Sequence, residues 1–355
     1  MEDSDQPGLA DRLEMAAARA IAALPPAAKR RIAGRPIRRD GLELDLDMQV
    51  LLKLEERNPR PSLSTRTPSD AREDLRHAVR VVAGAPVALA SIRETTVSGA
   101  AGPLPARLYV PDDSEAAAQG PLVVYYHGGG WVAGDIDTHD QPCRLLAKTS
   151  GARVLSVGYR LSPEHRFPAP VDDALAAFRD AVARSDELGA DPARVAVAGD
   201  SAGGHLAAVT ARQSVGEDGP APAFQLLIYP VTDCVQVAAS RVTFAEGFIL
   251  TKPDMDWYEQ QFFGADGDRR DPRASPLLAD DLSGGPPALV VTAGFDPLRD
   301  EGEAYALRLR EAGVRTLLRR HPRYVHGFIH ALIGGPGPRE AIAEMGGVLR
   351  AALAR

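Results

Sequence analysis

From about residue 120 onward, short apolar runs alternate with stretches of helical periodicity, and this alternation constrains the fold more than any other feature. The runs are "PLVVYYH" (121–127), "ARVLSVGY" (152–159), "ARVAVAG" (193–199), "AFQLLIYP" (223–230), "PALVVTAG" (287–294) and "VRTLLRRH" (314–321). Continuous runs rich in β-branched residues suit strands buried on both faces of a parallel sheet. Helical stretches separate or follow them, near 138–150, 170–186, 201–213, 298–312 and 338–354, and Gly313 is a fitting stop for the fourth. The pattern predicts an α/β domain, a mostly parallel central sheet with helices on both faces. Just ahead of it, "RETTVSG" and "PARLYVP" flank a Gly/Pro turn and predict an edge hairpin.

Two segments depart from the alternation. Before about residue 85 there are three helical patterns, roughly 8–24, 41–56 and 69–82. Leu44, Met48, Leu51 and Leu52 share one face of the second, and Leu75, Ala78, Val79 and Val82 share one face of the third. Asp70 followed by Glu73 predicts a helix start. A helix with a single apolar stripe must lie on something. The other departure is the excursion of more than fifty residues between Pro230 and Pro286, which contains the helix-like "TKPDMDWYEQQFF". A connection that long between neighbouring strands is typically a lid or insertion.

The totals exclude several classes. A net charge of −7 over 355 residues argues against a nucleic-acid surface, which needs clustered Lys and Arg. Arginine is interleaved with acids, as in "DAREDLRHAVR", and reads as a solvated helix face. The acidic opening "MEDSDQPGLADR" is unlike a secretory signal, and no run of 18 apolar residues exists, so a cytoplasmic chain without a membrane span is expected. Cys143 and Cys234 read as two buried free thiols in a reducing compartment.

The chemistry concentrates in two glycine-rich turns. "VAVAGDSAGGH" (195–205) sets Ser201 in a Gly-x-Ser-x-Gly turn between a buried strand and a helix. The serine of such a turn is strained, and its neighbours at minus two and plus two must lack side chains for strand and helix to approach. A serine needs a base, and the base needs an orienting group. Asp296 follows one strand directly and His326 follows the last strand, both at the sheet edge where open α/β sheets place ligands. Asp300 and Glu301 fall inside the next helix and read as dipole partners. His321 lies on the strand and His330 one turn past His326; the glycine beside His326 permits a tight exposed loop and favours it as base. His77, His139, His165 and His205 read as surface or packing residues.

The second turn, "YYHGGGWVAGD" (125–135), spends three glycines at a strand end. An acyl-transfer intermediate needs backbone donors fixed at its developing oxyanion, and glycines let the substrate oxygen approach them. Gly129, Gly130 and Ala202 are the expected donors; His127 and Gly128 support the loop. Asp200 is expected to point away from the serine in a structural role. It is also carried, with Trp131, Phe248, Trp257 and Tyr258, among the candidate substrate-pocket residues.

These two motifs resemble those of the hormone-sensitive-lipase-like group of α/β-hydrolases, bacterial esterase family IV. The resemblance extends through "YRLSPEHRFPAP" (159–170), "YPVTD" (229–233), "ASPLLA" (274–279), "DPLRDEGEAYALRL" (296–309) and "HGF" (326–328), covering about residues 90 to 350 in order. It implies an α/β-hydrolase fold, a Ser201–Asp296–His326 triad, an oxyanion hole of Gly129, Gly130 and Ala202, and structural roles for Arg160, Glu164 and Asp173. It also implies a helical cap built from an N-terminal segment (1–90) and an insertion at about 234–264 over a catalytic domain (91–355). The implied activity is hydrolysis of short- to medium-chain acyl esters through an acyl-enzyme. An arylacetamide-deacetylase-like amidase and a non-catalytic small-molecule receptor of the same fold are the alternatives, and a homodimer is left open.

No cofactor or metal is expected. "DIDTHD" (135–140) has no glycine at the sixth position of a calcium loop and Leu146 where the chelating Glu belongs. No zinc-spaced cysteine pair, HExxH motif or phosphate loop occurs.

Overall fold

Each of the six apolar runs contains a strand of one sheet. The structure is a computed structural model that describes residues 8–57, 62–112, 119–216 and 219–354. The strands are β5 (Gly120–Tyr126), β6 (Arg153–Val157), β7 (Ala190–Asp200), β8 (Gln225–Ile228), β9 (Ala288–Phe295) and β10 (Thr316–Val325), joined by the predicted hairpin β3 (Ser91–Gly99) and β4 (Gly102–Val110). The order across the eight strands is β10-β9-β8-β7-β5-β6-β4-β3. From β10 to β6 all pairs are parallel, while β4 runs antiparallel to β6 and β3 to β4.

Both faces are covered, which is why the runs are continuously apolar. Leu122, Val124 and Tyr126 of β5 pack in one cluster with side chains of α6 (Ala169–Ala183), α7 (Ala202–Gln213) and α10 (Arg299–Glu311). Val123 and Tyr125 belong to the opposite cluster, with α5 (Asp140–Ser150) and α11 (Gly337–Ala352). The chain leaves β5 to form β6 on one side and returns to form β7 on the other. That reversal makes β5 and β7 direct neighbours and brings the loops that follow them side by side, at the position where open sheets bind ligands.

The N-terminal region differs in detail from the periodicity. It contains α1 (Leu9–Ala22), a separate α2 (Pro26–Ala33) that the pattern did not suggest, α3 (Leu46–Arg57) and α4 (Pro68–Val82). The second predicted helix starts late because residues 38–43 form a hairpin of β1 (Arg38–Arg39) and β2 (Leu42–Glu43). Its turn has Asp40 at φ 54° and Gly41 at φ 73°, the two positive values that a tight two-residue hairpin requires. The start of α4 is also corrected: Thr67 is the cap, with Asp70 at N3 completing a capping box, and Glu73 has no part in it.

These helices lie on the C-terminal edge of the sheet and on the excursion after β8, which holds α8 (Ala239–Thr243) and α9 (Lys252–Phe263). Leu44, Met48 and Leu52 are buried in one cluster with Phe244, Phe248, Phe295 and Val325. Ala71 of α4 packs with Val132 and Trp257. The arginine-rich face of α4 is a docking face rather than a solvated one. Arg72 donates to the carbonyls of Val132 (2.8 Å) and Ser162 (3.0 Å) and pairs with Glu164 at 2.6 Å. Arg160 makes a two-pronged pair with Asp173 at 2.7 and 2.8 Å, holding the loop after β6 to α6. No helix among the described residues is long and apolar enough to cross a membrane.

A very close backbone contact lies where β5, β7 and α7 meet. A side-chain carbon on Gly203 would collide with the backbone carbonyls of Tyr126 and His127, and one on Gly199 with the carbonyls of Gly203 and Tyr126. All of these neighbours are backbone, so none can swing aside. Gly203→Ala is therefore expected to destabilise the protein by about 3 kcal/mol, read as a lowered midpoint in denaturant; an unchanged midpoint contradicts the close approach.

Candidate active site

Ser201 sits between the last residue of β7 and the first of α7 at φ 54° and ψ −119°. A positive φ costs a residue with a side chain about 1–3 kcal/mol and persists only where surrounding structure enforces it. Here the N–H of Ser201 donates to Ile228 O at 2.8 Å and its carbonyl accepts from His205 N at 3.0 Å. The hydroxyl is thereby pushed out of the turn. Its Oγ lies 3.0 Å from Nε2 of His326, and Nδ1 of His326 lies 2.9 Å from Oδ2 of Asp296.

Asp296, which immediately follows β9, is fully buried, and its second oxygen accepts from Leu298 N at 2.8 Å. His326 follows β10 directly and precedes Gly327, which has φ 74°. Tyr229, at φ 36°, lays its ring 4.6 Å from the His326 imidazole. Tyr229 opens the "YPVTD" stretch of the resemblance, but nothing in the sequence assigned it a role. The competing acids are engaged elsewhere: Asp300 accepts from Ser240 N, and buried Glu301 accepts from Thr232 N and pairs with Arg241. His321 stacks on Tyr324 and packs against Phe328, away from the serine.

The glycine loop after β5 lies beside the turn that carries the serine, with Gly128 N–H donating to Asp200 Oδ1 at 3.0 Å. Gly129 has φ 113° and Gly130 φ 62°, and the carbonyl of Gly129 is turned inward to accept from Val132 N and Ala133 N. Among the described residues, the backbone bonds of the loops include none donated by Gly129 or Gly130. Ala202, as the first residue of α7, has no acceptor four residues back within the helix. Among the described residues, no loop backbone bond is donated by Gly129, Gly130 or Ala202, and the N-terminal pole of α7 adds its positive dipole. His127 ties the loop down. Its Nδ1–H donates to Gly128 O at 2.8 Å, its ring stacks on Tyr159 at 4.3 Å, and its carbonyl accepts from Tyr159 Oη at 2.8 Å. Burial first, and then the neighbouring His139, hold the His127 ring down at about 4, so it stays neutral at working pH.

The other predicted residues sort by what they touch. Trp131 is buried, stacked on Phe262 at 4.1 Å, with its indole N–H donating to His205 Nδ1 at 3.1 Å. It is a pillar under the loop, with a ring face on Phe262 and its donor on His205. Phe248 is enclosed by Phe244 and Phe295, and Trp257 by Ala71 and Val132. Tyr258 lies over the glycine loop, where its ring fills the space a side chain on Gly130 would take.

Asp200 is held beneath the loop. Its Oδ1 accepts from Tyr125 Oη at 2.8 Å and Gly128 N at 3.0 Å, and His139 Nε2 lies 3.1 Å away. Burial alone would raise its pKa, but the charge and hydrogen bond of His139 outweigh that and hold the carboxyl below its usual range. His330 Nε2 stands 3.9 Å from the other oxygen. His139 and His205 are therefore not isolated packing histidines. Each has partners on both ring nitrogens: His205 bridges Trp131 and the carbonyl of Arg273 at 2.9 Å, and His139 contacts Thr138 at 2.9 Å on its far side. His139, Asp200 and His330 have the composition of a metal-ligand set. Yet Tyr125 O–H and Gly128 N–H already direct their positive ends at the Asp200 oxygen.

Comparison with known proteins gives the chain its relatives. A model of the alpha/beta hydrolase fold family matches residues 123–330. The carboxylic ester hydrolase LipN of Mycobacterium tuberculosis is 44% identical over 94% of this chain and 89% of its own. The ethyl acetate hydrolase of Pseudomonas putida is 40% identical over 73% of this chain and 82% of its own. Among solved structures, the ester-hydrolase EH1AB1 from the Lake Arreo metagenome, complexed with a derivative of bipyridine phosphonate, superposes with a TM-score of 0.84. It shares 44% identity, covering 88% of this chain and all of that one. The chain belongs to the α/β-hydrolase fold family and, within it, to the hormone-sensitive-lipase-like carboxylic-ester hydrolases.

Proposed function

We propose that Ser201 is the nucleophile, His326 the proton carrier and Asp296 its orienting carboxylate in the hydrolysis of short- to medium-chain acyl esters. The observation that carries this reading is the continuous line of hydrogen-bond contacts from Ser201 Oγ through His326 to Asp296, at 3.0 and 2.9 Å. Asp296 accepts the Nδ1–H of His326, which leaves the lone pair of Nε2 for the serine proton. As Oγ attacks the ester carbonyl, the proton moves to Nε2 and negative charge gathers on the carbonyl oxygen. The N–H groups of Gly129, Gly130 and Ala202 stabilise that charge; one such donor is worth about 3–4 kcal/mol. His326 then returns the proton to the departing alcohol, leaving acyl-Ser201. Water, deprotonated by the same nitrogen, repeats the attack and releases the acid.

The packing above the glycine loop is the basis for the chain-length reading. Tyr258 from α9 closes over Gly130, and the N-terminal helices pack against the insertion through Met48, Phe244 and Phe248. Residues 1–90 and 234–264 together act as a cap that limits the acyl chain. The ethyl acetate hydrolase relative, named for a short ester, agrees with that limit. Both cysteines are buried and free, in keeping with a reducing, cytoplasmic setting. The open edge of β10, with Leu317 exposed, is the surface that a homodimer would use.

Ser201→Ala and His326→Ala should each lower turnover of p-nitrophenyl butyrate by about 10⁴-fold or more, since triad members act as a unit, while His321→Ala stays close to the parent enzyme. A folded Ser201→Ala protein with most of its activity would overturn the assignment. Asp296→Asn favours the wrong imidazole tautomer and should reduce kcat by about 10⁴-fold with little change in melting temperature. An equal loss from Asp300→Asn would move the acid.

Deleting residues 1–40 tests the cap. It should shift the profile across nitrophenyl esters of increasing length, or expose apolar surface and cause aggregation, while Ser201 chemistry persists. Unchanged stability, solubility and profile would remove the N-terminal segment from the cap. Strong turnover of long-chain triglyceride emulsions would contradict the limited pocket.

A further inference from the structure

The backbone on either side of Asp296 is pinned by side chains from outside the triad. Gly294 O accepts from Arg299 Nη1 at 3.2 Å, and Pro297 O accepts from Ser240 Oγ of α8 at 2.7 Å. Within the turn, Leu298 N donates to the Asp296 carboxylate at 2.8 Å, and Arg299 N donates to the Asp296 carbonyl at 3.2 Å. Buried carbonyls need donors, and here the donors also fix where the Asp296 side chain starts.

Arg299 is costly in its place. It opens α10, where a cation opposes the helix dipole, and it is only 6% exposed, so its guanidinium must find partners within the protein. Its three nitrogens have them. Nε donates to Asp300 Oδ1 at 2.8 Å, Nη1 to Gly294 O, and Nη2 lies 2.8 Å from Asp40 Oδ2. The guanidinium also lies over the Phe244 ring, 5.1 Å from its centroid. Asp300 is the next residue in the chain. Asp40 lies more than two hundred positions away, in the turn of the β1–β2 hairpin, at a φ of 54° that few residues besides Asp, Asn and Gly adopt readily. The hairpin is itself anchored. Leu42 packs against the cluster of Phe244, Phe248 and Phe295, and Arg39 Nη1 donates to Thr243 O at 3.5 Å. Phe295 directly precedes Asp296.

We propose that Arg299 is a positioning residue for Asp296, and that Asp40 clamps it so that the N-terminal hairpin keeps the triad acid in line with His326. The inference rests on the proposed triad. Asp296 has to hold one tautomer and one orientation of the imidazole, and a displaced carboxylate does neither. Misplacement by about 1 Å, caused far from the reacting atoms, can cost about 100-fold in rate. Ser240 fixes the other end of the same turn from α8, so both segments of the proposed cap reach the acid. This role differs in kind from that of a pocket wall. A wall selects among acyl chains, whereas a brace on Asp296 bears on every ester alike, in kcat rather than KM.

The test is a double-variant cycle in the full chain, read on p-nitrophenyl acetate and p-nitrophenyl hexanoate. Asp40→Asn keeps the hairpin, because Asn tolerates the left-handed turn, and removes only the charge facing Arg299. It should lower kcat by about threefold or more, by the same factor on both esters, with KM within about twofold. Arg299→Gln should lower kcat by about 10- to 100-fold. Adding Asp40→Asn to Arg299→Gln should lower it no further, since Asp40 acts through Arg299. An added loss as large as in the parent overturns the clamp. Glu43→Gln breaks the Arg38–Glu43 pair on the same hairpin and should leave kcat at the parent value; a fall equal to that of Asp40→Asn overturns the specific role of Asp40. The far-downfield proton resonance of His326 Nδ1–H, identified by its loss in Asp296→Asn, should shift or broaden in Asp40→Asn. An unchanged resonance overturns the proposal, as does a fall in kcat of less than threefold or one confined to the longer ester, even if Arg299→Gln fails to fold. Ser201→Ala separates the two levels. If it is inactive while Asp40→Asn and Arg299→Gln keep the parent kcat, the esterase mechanism stands and only the brace falls; a folded, active Ser201→Ala protein removes the triad reading itself.

Discussion

The site depends on one steric fact: at Gly199 and Gly203 the carbonyl ends of two neighbouring strands and the start of a helix come closer than any side chain allows. That contact sets the tight turn, and the tight turn forces Ser201 to φ 54° with its hydroxyl facing outward. The same contact presses the end of β5 against α7, so the glycine loop after β5 and the N-terminus of α7 share one space. The proposed nucleophile and backbone donors are thus positioned by packing of main chain, which has few rotamers to lose. The apolar runs of β5 and β7 supply the burial that makes such crowding affordable.

Charge is handled separately from shape. Several carboxylates are buried at or near the C-terminal end of the sheet, and each has a particular partner: Asp296 with His326, Asp200 with His139, Glu301 with Arg241 and Asp173 with Arg160. Removing the arginine from either of the last two pairs leaves an uncompensated charge, which typically costs about 3–5 kcal/mol. The pairs therefore lock loops as much as they tune chemistry. Glu301 holds the start of the excursion after β8 through Thr232 and Asp233 N–H groups, and Arg241 carries the same restraint into α8. The excursion after β8 and the N-terminal helices are joined to the C-terminal edge of the sheet by these contacts and by the Leu44–Met48–Phe244 cluster.

What the sequence revealed was what local sterics dictate. Gly-x-Ser-x-Gly and the triple glycine are legible because no other residues fit those turns, and the strands because burial on two faces leaves continuous apolar runs. Asp296 and His326 were legible from their position directly after strands. Less legible were features set by tertiary neighbours. The convergence of His139 on Asp200 depends on β5 lying beside β7, which no local pattern encodes. The docking role of Arg72 was hidden in a charged helix face that reads equally well as solvated. Trp131 sits next to the oxyanion loop in sequence, yet its ring turns inward onto Phe262, whereas Tyr258, more than a hundred residues away, reaches Gly130. The hairpin at 38–43 escaped notice because its strands have two residues each, although Asp40-Gly41 was its signal.

The central claim is that one serine, exposed on a strained turn, forms the covalent intermediate. A p-nitrophenyl alkylphosphonate tests it directly: attack at phosphorus forms an Oγ–P bond and expels nitrophenolate, and the adduct cannot be hydrolysed as an acyl-enzyme is. Intact mass and peptide mapping should show one phosphonyl group per chain, on the peptide containing Ser201, with one equivalent of nitrophenolate released and esterase activity lost in step. Modification at another residue, or full ester hydrolysis by a chain phosphonylated at Ser201, would contradict the account.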